Sequence, residues 1–134
     1  GTAGIDGAIF NRSAVIRKTT VTAMTTTAAI TAAAIKGGLI TANQGAAGAA
    51  TYTLPTGTAL QAVFPTFTAG DSVQFHIVNI STNAAEDVTV AGDTGTTMKG
   101  NLAVPANSGV TELAFSTFLA LNTGVNTFDV YRIG

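Results

Sequence analysis

The most regular hydrophobic–polar pattern in the chain lies between Gly70 and Ser81, which reads GDSVQFHIVNIS. Val73, Phe75 and Ile77 alternate with Ser72, Gln74 and His76, and Val78 and Ile80 then make the run apolar in both phases. Alternation of β-branched and aromatic residues with period two is the mark of a strand, and an apolar end on both phases implies cover from two sides. The pattern therefore predicts a central strand over residues 71–80.

The segments on either side follow the same logic with weaker signals. Residues 1–18 (GTAGIDGAIFNRSAVIRK) show no sustained period: Gly1, Gly4 and Gly7 loosen the start, while Ile9, Phe10, Val15 and Ile16 are too apolar for a free tail. Exposed apolar residues of this kind mark a surface meant to be covered. An extended N-terminal arm lying on a neighbour and a first strand of the same domain both fit. Residues 19–35 hold seven Thr and six Ala; Thr favours strand and the Ala run favours helix. The reading is extended chain to about residue 26, then one or two helical turns over 31–36 with Thr31 as N-cap and Gly37 and Gly38 as the stop. Strand resumes at 39–42 and again at 51–54, closed by Pro55. In TGTALQAVF, Leu60, Val63 and Phe64 fall at i, i+3 and i+4, which gives one short helix over about 57–64, capped by Thr56 or Thr58 and ended by Pro65.

Beyond residue 66 everything reads as strand and turn. Val88 and Val90 alternate in a short strand, and Met98, Leu102 and Val104 lie in a stretch over 96–104 that Gly100 interrupts as a bulge. A strand over 110–121 would point Leu113, Phe115, Phe118 and Leu119 inward; a connection of about five residues (NTGVN, 122–126) leads to a closing strand with Phe128, Val130 and Ile133. Short strands every 8–12 residues, separated by Gly, Asn and Pro, predict a mainly β domain over 19–134: a compact β-sandwich or jelly-roll-like barrel. No repeat of 20–50 residues is visible, which argues against solenoids and propellers.

Composition adds a constraint on the surface. One domain is the natural reading for 134 residues, and a chain of that length buries roughly 65–70% of its unfolded surface. Charged residues make up 10% of the chain, against about 25% in an average globular domain. Thr and Ala contribute 24 residues each. Such a weakly charged, Thr-rich surface fits a particle subunit or an extracellular module better than a crowded cytosolic enzyme. The charge is also uneven: residues 1–40 carry four basic and one acidic side chain, net +3, and residues 41–134 carry two basic and six acidic, net −4. The two parts should meet different partners. No apolar run reaches the roughly 20 residues of a membrane helix, and no signal peptide opens the chain. Its start at Gly1 fits either a removed leader or a trimmed piece.

Candidate chemistry is sparse. With no cysteine, disulfides, thiolate metal sites and Cys nucleophiles fall away together. His76 is the only histidine, on the polar phase of the central strand beside Gln74, and no partner with catalytic or metal-binding spacing accompanies it. It reads as a strand-surface or subunit-interface residue. Glu86, Asp87 and Asp93 crowd one region and offer oxygen ligands for Ca²⁺, but not with EF-hand spacing. Neither a P-loop nor a dinucleotide fingerprint is present. Arg12, Arg17 and Lys18 are too few, with Phe10 alone as aromatic company, for a nucleic-acid interface. The residues thus predict no enzyme, no cofactor, no nucleic-acid partner and no membrane partner.

Four stretches, ITAAAIKGGLIT at 30–41, TYTLPTGTALQAVFP at 51–65, GDSVQFHIVNIST at 70–82 and NTFDVYRIG at the end, together resemble the decoration, cement or head-fibre proteins of tailed-bacteriophage capsids. The resemblance spans about residues 30–134 and leaves the arm outside. It implies a virion structural protein that binds the outer surface of the major capsid protein lattice and reinforces the shell, often as a homotrimer; it offers no active-site residues. On that view the arm, through Ile9, Phe10, Arg12, Val15, Ile16, Arg17 and Lys18, would contact the capsid or a partner subunit. The alternative it leaves open is a receptor- or glycan-binding β-module of a phage fibre or other virion appendage.

Overall fold

A computed structural model of the protein describes residues 18–45, 48–100, 103–106 and 114–134. Within them the chain passes back and forth between two sheets. It runs through β1 (Thr20–Met24), β2 (Ala28–Ala29), α1 (Ala32–Gly37), β3 (Gly38–Ala42), β4 (Ala50–Thr53), α2 (Gly57–Val63), β5 (Ser72–Asn79), β6 (Val88–Ala91), β7 (Thr96–Lys99), β8 (Ala103–Val104), β9 (Phe115–Gly124) and β10 (Thr127–Arg132). One sheet has six strands in the order β1-β3-β5-β9-β10-β7, and the other has four in the order β2-β4-β6-β8. The first six strands thus alternate between sheets, odd to one and even to the other. Each successive pair within a sheet is parallel (β1 with β3, β3 with β5, β2 with β4, β4 with β6).

The mainly β architecture expected from the sequence is present, in mixed sheets. A jelly roll pairs its strands antiparallel throughout; here antiparallel pairing joins only β5 to β9, β9 to β10 and β6 to β8 among the described residues. The parallel part follows from the winding: a strand that returns to its own sheet after crossing the other one arrives in the same direction.

Local signals explain the helices. Thr31 caps α1, its Oγ1 accepting from the Ala34 amide at 3.1 Å, and Gly38 in the left-handed region (φ 94°) ends it. Thr56 caps α2 in the same way, through Ala59. Both helical stretches read from the sequence are present: the turns expected over 31–36 form α1, where the Ala run buries Ala32, Ala34 and Ile35, and the helix expected over about 57–64 is α2. The N-terminus of α2 lies tight against the β9–β10 hairpin. A Cβ built on Gly57 would meet the Asn126 carbonyl oxygen at 1.9 Å, so only glycine fits. Gln61, one turn on, joins the two elements: its Oε1 accepts from Asn122 Nδ2 and the Asn126 amide, and its Nε2 donates to the Phe64 and Phe67 carbonyls.

Both sheets contribute to one core. Ile40, Phe75, Ile77, Phe118, Phe128 and Val130 of the larger sheet meet Tyr52, Val88, Val90 and Val104 of the smaller one, closed by Ile30, Ile35 and Leu60. Phe75 and Phe118 are cross-strand partners and stack with centroids 5.2 Å apart. That pairing sets the phase of β9. Ser116, Phe118, Ala120 and Asn122 face inward, while Phe115 stands 48% exposed and Leu119 is half-buried on the outer face. The inward placement of Phe115 and Leu119 read from the sequence is corrected accordingly; Leu113 lies outside the described residues. Ile80, beyond the end of β5, is 49% exposed rather than covered. The stretch over 96–104 divides into β7 and β8, which join different sheets. The β9–β10 connection is tighter than five residues: pairing runs to Gly124 and Thr127, and Asn126 takes the positive φ (59°) of a tight turn.

Candidate interaction surface

The residues that looked chemically promising in the sequence are built into the scaffold. Glu86 is buried, with Oε1 accepting from Ser81 Oγ at 2.6 Å. Asp87 Oδ1 accepts from the Ala106 amide at 2.9 Å, and Asp93 Oδ1 from the Thr94 amide at 2.7 Å. Three acids within eight residues thus bind three separate groups of backbone or side chain, and no group of three potential metal ligands occurs among the described residues. His76 lies exposed on the outer face of β5, where Nδ1 bonds Thr117 Oγ1 of β9 at 2.9 Å; the two are cross-strand partners.

Burial does perturb one group. Tyr52 is fully buried, and its hydroxyl donates to the Met24 carbonyl at 3.2 Å and receives a hydrogen bond from Gln44 Nε2. Desolvation raises its pKa above the ordinary value near 10, partly opposed by the Gln44 bond. The site is closed by core residues and serves to tie β4 to β1.

What remains is surface, and two parts of it are unusual. The first is the outer face of the six-stranded sheet. Reading across strands, Val21, Leu39, His76 and Thr117 form one row, and Ala23, Thr41, Val78 and Phe115 the next. Leu119 and Tyr131 pair farther along. Val21 (56% exposed), Phe115 and Tyr131, with Ile133 just past β10, are large apolar side chains exposed on this face, set among Thr41, Gln74, His76, Thr117, Asp129 and Lys99. The sequence held a signal for it: FLAL at 118–121 is apolar in both phases, which a strand wet on one side does not need.

The second is a groove at the start of β1. Lys18 and Lys36 line two adjoining depressions, of about 500 and 390 Å³. Phe64, Phe67 and Val73 form the apolar part of the larger one, with Ser72 and Gln74 beside them. The two phenylalanine rings stack at 4.7 Å. Two cations over an aromatic floor suit an acidic chain segment with an apolar anchor. Of the arm residues singled out in the sequence, Lys18 is placed here; Ile9, Phe10, Arg12, Val15, Ile16 and Arg17 lie outside the described residues. Lys36, Phe64 and Phe67 escaped sequence reading because the groove draws on three distant segments.

Compared with family models, curated proteins and solved structures, the chain finds no significant match.

Proposed function

We propose that the protein is a virion structural protein, a capsid decoration or cement subunit that binds the outer surface of the major capsid protein lattice as a homotrimer and reinforces the shell. The observation that carries this reading is the outer sheet face: Val21, Phe115, Tyr131 and Ile133 stand exposed beside half-buried Leu39, Val78 and Leu119. Monomeric soluble proteins seldom leave such a face open, and subunit interfaces are depleted of charge at their centres. The resemblance over residues 30–134 supplies the kind of partner. In this reading the two-sheet body is a sandwich-like module, His76 is an interface residue, and the cationic end of the arm with the Lys18–Lys36 groove faces an acidic capsid surface.

Binding to tailed-phage capsids stripped of decoration protein tests it. The full chain should co-sediment with the shells at a saturating, fixed ratio and raise their melting temperature. Deleting residues 1–18, or combining Lys18→Glu with Lys36→Glu, should weaken binding at least tenfold while the β body stays folded by circular dichroism. A chain that is monomeric by light scattering and ignores capsids would refute the proposal. Affinity for cell surfaces or sugars, using the stacked Phe64–Phe67 groove, would favour the appendage-module alternative.

A further inference from the structure

We draw no further inference here: the strongest candidate, the outer face of the four-stranded sheet, where Thr51 and Thr89 stand exposed as cross-strand partners, carries nothing because it is a run of threonine and alanine side chains and nothing in the structure shows what covers it.

Discussion

Asn79 offers the sharpest test of how the two sheets are held in register. It is the last residue of β5 and 1% exposed. Its Nδ2 donates to the Glu86 carbonyl at 2.8 Å and to the Val104 carbonyl at 3.2 Å, and its Oδ1 accepts from the Ser81 amide at 3.2 Å. Glu86 precedes β6 and Val104 lies in β8, so one carboxamide of the larger sheet satisfies two carbonyls beside or within the smaller one. Asn79→Leu keeps approximate volume and removes both donors. Two buried carbonyls lose their partner, at about 1–2 kcal/mol each, so unfolding free energy should fall by about 2–4 kcal/mol. Asn79→Asp is nearly isosteric yet places a carboxylate against the same two carbonyl oxygens, and at pH 7 it should cost at least as much.

Acid separates the two variants. The buried carboxyl of Asn79→Asp would have a folded pKa above its unfolded value near 3.9, because desolvation and facing carbonyls disfavour the charge. The folded state then holds a proton that the unfolded state has lost. Stability is greatest below the unfolded pKa and declines as pH rises toward the folded one, by up to about 1.4 kcal/mol per pH unit across that window. Urea unfolding at pH 7 and pH 5 should therefore show the Asp variant recovering relative to wild type on acidification, and the Leu variant keeping a constant deficit. Equal stability of Asn79→Asp and wild type at pH 7, or a pH-independent Asp deficit, would refute the donor role assigned to Asn79.

Two further perturbations probe neighbouring parts of the scaffold. Tyr52→Phe removes the hydroxyl that Gln44 Nε2 donates to and one of the two hydrogen bonds on the Met24 carbonyl, which keeps the Asn43 amide, and should cost about 1 kcal/mol at neutral pH; because the folded pKa of Tyr52 is raised, wild type keeps that phenol's share of stability below about pH 10 and loses it above, so the gap between wild type and variant should shrink from pH 9 to pH 11 in chemical denaturation. Gly57→Ala drives a methyl into the Asn126 carbonyl and must push α2 off the β9–β10 hairpin, so a drop of at least about 2 kcal/mol is expected, while the exposed Thr58→Ala in the same helix should stay within about 0.5 kcal/mol in the same melt.

Local features were legible in the sequence because they are decided locally. Thr31 and Thr56 cap helices with their own hydroxyls, Gly38 ends one through its own φ, and the His76 phase of β5 follows from strict alternation. Features set by a distant partner were not. The 115–121 run is apolar in both phases, so its inward face was fixed only by pairing Phe118 with Phe75. The parallel winding left no repeat to find, since one passage between strands of the larger sheet holds only residues 25–37 and the next holds 43–71. The groove was hidden for the same reason, with Lys18, Lys36 and Phe64 brought together from three separate segments.

The distribution of protection over the surface connects fold to function more firmly than any single side chain. The β10–β7 side carries Asp129, Arg132 and Lys99 within a few residues, and Arg132 ties its guanidinium to the Ala103 and Gly134 carbonyls. That side has what a strand edge needs to stay in water. The β1–β2 side has only Thr, Ala, Val, Met and Ile between its two flanking lysines, and both isoleucines, Ile30 and Ile35, are buried. A chain with 10% charged residues that still places several of them on one side has one side suited to solvent and another suited to a neighbour. In the reading proposed above, this uneven placing of charge over the described residues would leave the β10–β7 side to solvent.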